Sequence, residues 1–515
     1  MRRALPLLAL TAVLAAAPAR AHVGSPNVFY DGDAGPYPVR IIVRPPVVIP
    51  GDAEVTVRLR EGRQADKVTV QPVLFSSGFL GAPQPDEATP VPGAPGMWSG
   101  QLLLMRPGSW NVRVHVQGAA GEGTVQVPLP AVRNQIFAMD KRLGGLLAVL
   151  GLFLFAGAVS IVGAAVREAS LRPGETIDGR RRFRARVVSV GVTFLLALIV
   201  WGGKDWWDIT EAQLRKKLFR PSSAHTSARV EAGRPMLAMT IEDSGSNGWS
   251  QLIPDHGKLM HLFLVREPGL DAFAHLHPLA QRQRDFLAPL PPLPAGAYRV
   301  YADIVDENGF PQTLVDRVQL PGAETAAAPG AEAAPDPDPD DSWRTSEPLS
   351  LSAKPGAAVS RLENGGTMVW QREPLVVNRE TTLRFEVRGP DGHPAPLEPY
   401  MGMLSHAVIN RDDGEVFVHL HPMGTLNMAA QEVFAKSTRG PAVAATPGME
   451  SMPGMDHSGM DHSKMSHSAA ATTSTRSVVS FPYEFPQPGH YRLWVQVKSE
   501  GRILTGVFAT EVGEN

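Results

Sequence analysis

The chain contains no cysteine. That absence excludes disulfide scaffolds, thiolate zinc sites, iron–sulfur clusters and cysteine nucleophiles. A soft-metal site here must use methionine thioether and histidine imidazole. There is also no excess of charge: 49 basic and 51 acidic residues leave a formal net charge of −2. Nothing in that balance favours nucleic acid as a partner. No phosphate-binding Gly-rich loop, no G-x-S-x-G and no H-E-x-x-H occurs. What is present is length, 515 residues, too much for one ordinary domain, together with 49 glycines and 47 prolines.

Three apolar segments set the topology. Residues 1–21 read as a secretory signal, with Arg2 and Arg3, an apolar stretch Leu5–Ala17 and small residues at Ala19 and Ala21. Cleavage after Ala21 leaves His22 at the mature N-terminus. Residues 143–166 form a charge-free run long enough for a transmembrane helix, and 187–203 a shorter one followed by Trp206 and Trp207. The intervening segment, 167–186, carries Arg167, Arg172, Arg180, Arg181, Arg182, Arg184 and Arg186, which places it in the cytoplasm. The expected location is therefore the cytoplasmic (inner) membrane, with the soluble domains in the periplasm or its extracytoplasmic equivalent.

The soluble segments share an ending. Pro107-Gly-Ser-Trp110, Ala295-Gly-Ala-Tyr298 and Pro488-Gly-His-Tyr491 each lead into period-two alternation and a further strand-like run. A glycine turn, an aromatic and a strand resemble the last hairpin of a small immunoglobulin-like sandwich. The expected fold is mainly β: three such sandwiches at 22–135, 224–321 and 349–515, with a two-helix transmembrane hairpin after the first. The Ala/Pro/Asp-rich stretch 322–348 reads as a linker, disordered through Asp341, and 436–476 as a low-complexity loop inside the third domain.

The second and third domains share a denser pattern. Pro254-Asp-His256-Gly-Lys-Leu-Met260-His261 precedes Phe273-Ala-His275-Leu-His277-Pro278. Pro399-Tyr-Met401-Gly-Met403-Leu-Ser-His406 precedes Phe417-Val-His419-Leu-His421-Pro422-Met423. His256 thus aligns with Met401 and His261 with His406. On a strand, residues i and i+2 share a face, so each His-x-His points one way. A turn at Asp412-Asp413 sets His406 opposite His419, and a turn at Asp413-Gly414 sets it opposite His421; either gathers three imidazoles. In the second domain a three-residue loop, Glu267-Pro268-Gly269, pairs Arg266 with Leu270 and sets His261 against His275. Three converging imidazoles, with Met401, Met403 and Met423 nearby, suit copper, with zinc as the alternative.

The loop in the third domain repeats Met-x-His at a five-residue step: Met449, Met452, Met455-Asp-His457, Met460-Asp-His462 and Met465-Ser-His467. A solvated methionine run has no packing role, and thioethers favour Cu(I) over zinc, calcium or magnesium. This run resembles the Met/His-rich segments of periplasmic copper-resistance proteins, including copper-resistance multicopper oxidases. The sandwiches with His-x-His resemble periplasmic copper-carrier and YtkA/FixH-like domains. The type 1 cysteine of multicopper oxidases is missing, so oxidase activity is not carried over. The expected function is copper binding, Cu(I) and/or Cu(II), for sequestration or delivery to a cuproenzyme or exporter, without catalysis. One alternative is a scaffold or assembly factor for a respiratory or cuproenzyme complex. The other is a copper oxygenase whose histidine brace starts at His22 and draws on His115.

Overall fold

The structure is a computed structural model that describes residues 22–23, 25, 27–172, 174–231, 234–243, 245, 248–321, 336–349, 356–437 and 477–514. It divides into two compact units, residues 132–220 and the remainder.

The 132–220 unit holds two helices, α1 (Lys141–Glu168) and α2 (Gly179–Lys216). Each begins on an aspartate that caps it. Asp140 accepts from the main-chain N–H groups of Arg142 and Leu143, and Asp178 from that of Arg181. Leu152, Phe153, Phe194 and Trp201 are exposed along the pair, as a lipid-facing surface requires. At 1.5 Å per residue both helices exceed the roughly 30 Å hydrocarbon layer, so both are long and apolar enough to cross a membrane. The Arg-rich connection is shorter than expected: α2 starts at Gly179, so Arg180, Arg181, Arg182, Arg184 and Arg186 ride on its first turns.

The other unit is β-rich, and its hydrophobic clusters lie between paired sheets. The first cluster, with Ile41, Val43, Val55, Val57, Val70, Val112 and Val114 fully buried, lies between a five-stranded and a four-stranded sheet. Period-two alternation on Gly51–Leu59 and Met97–Leu104 turns their apolar residues inward. The second cluster lies between the sheet of Ser223–Glu231, Arg234–Asp243, Asp285–Pro289 and Leu279–Ala280 and the sheet ordered Pro311–Leu320, Gly296–Val305, His261–Arg266, Ala272–Leu276, Ser342–Thr345. The third lies between the sheet of Gly356–Arg361, Thr367–Arg372, Glu380–Arg388 and Val478–Glu484 and a six-stranded sheet built around Val416–Leu420, Ser405–Arg411, Gly489–Ser499 and Arg502–Gly513.

The repeated glycine–aromatic motif has one geometry in all three places. Gly108, Gly296 and Gly489 have φ of 139°, 145° and 134°, open only to glycine without strain. Two residues later, Trp110 Nε1–H donates to the Arg106 carbonyl at 2.9 Å, Tyr298 Oη–H to Pro294 at 2.8 Å and Tyr491 Oη–H to Gln487 at 2.7 Å. Each ring is buried and its polar tip is tied to the turn that launches the hairpin.

Two expectations need correction. Part of the 322–348 linker is ordered: Ser342–Thr345 is a strand paired with Ala272–Leu276, because Trp343 and its neighbours complete an otherwise open sheet edge. Residues 322–335 lie outside the described residues. The N-terminal segment, assigned to the first domain, contributes His22–Val23 as a parallel edge strand against Val416–Phe417 of the third.

The second and third β-rich regions meet sheet against sheet. On His261–Arg266 and Ala272–Leu276, residues Leu262, Leu264, Ala272, Ala274 and Leu276 face their own core, while Phe263, Val265 and Phe273 join Val408, Phe417 and Trp494 in a separate cluster between the two. Phe273 stacks on Trp494 (4.7 Å, 12°) and Tyr301 on Phe417 (3.8 Å, 10°). In the sequence repeat Phe273 corresponds to Phe417 and Tyr301 to Trp494. The contacts are therefore reciprocal, and the regions relate by an approximate two-fold axis.

Candidate metal centre

The turn entering each histidine strand is the same object twice. His256 and Gly257 have φ of 51° and 81°, and Met401 and Gly402 have 49° and 80°. Two consecutive positive values define the tight turn whose ends, Asp255 with Lys258 and Tyr400 with Met403, are bridged. This turn leaves one carbonyl over each following strand. His261 Nε2 lies 3.1 Å from the Asp255 carbonyl and His406 Nε2 lies 3.2 Å from that of Tyr400.

The strand registers place the remaining rings. In the third region Ala407 pairs with Leu420 and Val408 with His419, the alternative that brings His406 across from His421. In the second, the expected Glu267-Pro268-Gly269 loop is wrong. Phe263, not His261, pairs with His275, and the connection spans residues 267–271. The cause is Leu270, whose side chain is buried in the interface cluster, so the strand resumes only at Ala272. A shift of two residues keeps every side chain on its face. His261, His275 and His277 therefore still converge.

The sequence foresaw two separate triads; the fold joins them. Because both lie on the interface faces, the rings of His256, His261, His275, His277, His406, His419 and His421 form one buried network. Neighbouring centroids are 4.6–6.4 Å apart, including 5.5 Å between His261 and His419 and between His275 and His419 across the interface. In each triad one ligand nitrogen per residue lies within 4.8 Å of the others.

The hydrogen bonds fix which nitrogens face inward. A carbonyl oxygen only accepts, so the ring proton sits on the nitrogen facing it. His261 and His406 are thus protonated at Nε2. His275 Nδ1 faces Gln496 Oε1 at 2.9 Å, His277 Nδ1 faces Asp341 Oδ1 at 2.9 Å, and His421 Nδ1 faces the Leu426 carbonyl at 3.0 Å. His419 Nδ1 lies 3.4 Å from Asp303 Oδ2. Six lone pairs are left: His261 Nδ1, His275 Nε2 and His277 Nε2, then His406 Nδ1, His419 Nε2 and His421 Nε2. His261 Nδ1 and His275 Nε2 are 3.1 Å apart, and His406 Nδ1 and His419 Nε2 are 3.2 Å apart. With the protons placed elsewhere, neither contact is a hydrogen bond. Both have the length of a chord between two ligands of one metal: at about 2.0–2.1 Å per bond they would subtend roughly 100°.

Protonation agrees. Burial holds the imidazoles of His261, His275, His406 and His419 well below their ordinary pKa, and His421 at about 3, with neighbouring histidines lowering them further. They are neutral at pH 7, the state a metal needs. Buried nitrogens without a hydrogen-bond partner include His256 Nε2, His277 Nε2 and His421 Nε2. Uncompensated buried polar atoms are costly, and a metal ion would satisfy them. The buried triads can hold a metal ion.

Several supporting residues carried no visible signal in the sequence. Asp341, part of the supposed linker, receives both the ring and the main-chain N–H of His277. Lys258 reaches both oxygens of Asp338 at 2.6 and 2.7 Å; although burial opposes it, that pairing keeps Asp338 below its ordinary pKa. Asp303, pushed by burial up to about 7, and Gln496 occupy equivalent positions in the repeat, and each supports a histidine of the other half. Asp255, its pKa raised by burial, accepts from Asn427 Nδ2 at 3.0 Å and from the N–H of Ala429 at 2.9 Å, at the start of helix α3 (Met428–Ser437).

Met401 occupies the turn position that His256 fills in the first repeat, Met403 closes that turn, and Met423 packs against the first core. His115 pairs with Thr124 at 2.9 Å and Glu122 at 3.5 Å on a different sheet. The main chain of His22 lies on a sheet edge. The Met-x-His run, Met449 to His467, lies outside the described residues.

No curated protein matches this chain. A family described as "Domain of unknown function (DUF8832)" matches residues 360–451 and 457–514, the third region only. Among solved structures, a tetra-tandem repeat from the extending region of a large adhesion protein is 8% identical, covering 90% of this chain and 71% of that one, with a TM-score of 0.14. The FN1–FN3 domains of chicken CNTN1 are 7% identical, covering 92% and 97%, with a TM-score of 0.13. The D1–D4 ectodomain fragment of ICAM-5 is 8% identical, covering 91% and 74%, also at 0.13. Likeness this slight carries no argument about function.

Proposed function

We propose that this protein is a membrane-anchored, extracytoplasmic copper-binding protein that sequesters copper or delivers it to a cuproenzyme or exporter. The observation that carries the reading is the set of six inward nitrogens on buried imidazoles: five rings have their outward nitrogen hydrogen-bonded to Asp255, Gln496, Asp341, Tyr400 or Leu426, and His419 Nδ1 lies 3.4 Å from Asp303 Oδ2. A hydrogen-bonded histidine network would alternate donors and acceptors; here donor capacity points outward and only acceptors remain inside. Copper is preferred to zinc because the Met-x-His run offers thioethers in the same extracytoplasmic region, ligands that zinc rejects. The three β-rich regions read as immunoglobulin-like sandwiches on their common aromatic-to-turn hydrogen bond, and α1 and α2 as the anchor in the inner membrane. Handling rather than turnover is the proposed role.

The test is metal analysis of the full chain equilibrated with Cu(I), Cu(II) or Zn(II), beside a variant lacking 446–468 and a variant with His406, His419 and His421 changed to glutamine. The expected result is copper retained by the deletion and reduced by the glutamine variant. Equal copper in all three forms removes the triad from the mechanism. Absence of copper throughout favours a scaffold or assembly role.

A further inference from the structure

Each triad supplies three ligands where a closed site takes four. One triad has a further imidazole beside it, from the other half of the repeat. His256 belongs by sequence to the second region, yet its ring lies 4.9 Å from that of His421 and 5.4 Å from that of His406, against 6.1 Å from His261. Its side chain is only 4% exposed, its Nε2 has no hydrogen-bond partner and lies 3.8 Å from Asp255 Oδ2, and Asp255, His256 and His421 each offer a ligand atom within 4.8 Å of the other two.

We propose that the two triads form a single two-metal centre with exchanged fourth ligands: His256 closes the site of His406, His419 and His421, and Met401 closes that of His261, His275 and His277. Resting on the metal-binding reading above, the inference adds stoichiometry, connectivity and asymmetry. Four observations support it. The turns carrying His256 and Met401 have the same backbone conformation. The interface contacts are reciprocal, with Phe273 on Trp494 and Phe417 on Tyr301. The supporting polar contacts cross in the same way, His275 to Gln496 and His419 to Asp303. Finally, Tyr400, next to Met401, donates to the Asp340 carbonyl at 2.9 Å, in the segment that also holds Asp341 against His277. The result is one site with four imidazoles and one with three imidazoles and a thioether, unequal in softness, so they differ in preference for Cu(II) and Cu(I).

Co(II) is the probe, because its d–d bands report geometry, and subtracting the Co(II) lost in the variant lacking 446–468 accounts for the histidines of the Met-x-His run. Full-length protein titrated with Co(II) should bind two ions per chain, and the two spins should be magnetically coupled. His256→Gln should weaken, by about tenfold or more, the same ion that is lost when His406, His419 and His421 are replaced. Met401→His should strengthen the other ion by about tenfold and shift only its bands. Unchanged far-ultraviolet and near-ultraviolet dichroism of each variant guards against misfolding. One ion per chain, two uncoupled ions, or a His256 effect on the ion held by His261, His275 and His277 each overturns the proposal. Failure to bind Co(II) or copper at all instead removes the metal-binding reading beneath it.

Discussion

Acidifying the metal-free protein probes the centre directly. His261, His275, His406, His419 and His421 are buried neutral, with folded pKa values below the roughly 6.5 of an unfolded histidine. Below pH 6.5 the unfolded chain therefore takes up protons that the folded protein refuses. The stability contributed by these rings is full above 6.5 and is lost as pH falls toward the folded values, about 3 for His421. Between pH 7 and 5.5 each ring costs on the order of 1 kcal/mol, or roughly 5–6 kcal/mol for the set. Asp303 acts oppositely. Its folded pKa is raised to about 7, so protonation over the same interval restores on the order of 1–2 kcal/mol, and Asp255, also raised, adds in that direction. A net loss of about 3–5 kcal/mol remains, a large share of ordinary domain stability. Urea denaturation followed by tryptophan fluorescence, at pH 7, 6.25 and 5.5 in the presence of a chelator, measures it. Stability that is flat or rises on acidification refutes the buried neutral cluster. Replacing His406, His419 and His421 by glutamine removes three of the five proton-refusing rings and should bring the slope close to zero.

The remaining predictions concern the supports. Asp341→Asn removes the charge behind His277 and should weaken metal binding by about 10–100-fold with the fold retained, read by competition with a chromophoric chelator. Trp494→Ala opens a cavity against Phe273 and should cost about 3–5 kcal/mol, lowering metal affinity although no ligand has changed. Tyr298→Phe deletes only the bond to the Pro294 carbonyl and should cost about 0.5–1.5 kcal/mol in thermal denaturation, leaving metal content untouched.

Local pattern carried much of this structure into the sequence. Alternation and the glycine–aromatic turns marked the strands and closing hairpins, and uninterrupted apolar length marked α1 and α2. His-x-His spacing placed each pair of rings on one face, which survived even a wrong loop length, because Leu270 shifted the register by an even number of residues. Pairing between regions was not legible. The strands of His261–Arg266 and Val416–Leu420 bury both faces, and Phe263, Phe273, Phe417 and Trp494 outside their own cores were the available sign of a second packing partner. Asp341 and Asp338 were hidden by composition: a run of Asp and Pro reads as linker until a histidine and a lysine are brought against it.

The near-two-fold relation between the histidine regions has a consequence of its own. In an isologous homodimer each residue occurs twice, so any substitution at the interface changes both ends together. Here the two halves share one chain, and symmetry no longer constrains them. The turn can hold imidazole in one copy and thioether in the other, and the crossing support can be a carboxylate at Asp303 and an amide at Gln496. Covalent fusion keeps the geometry of a dimer while freeing each half to be tuned alone, and the association needs no second molecule and does not weaken on dilution.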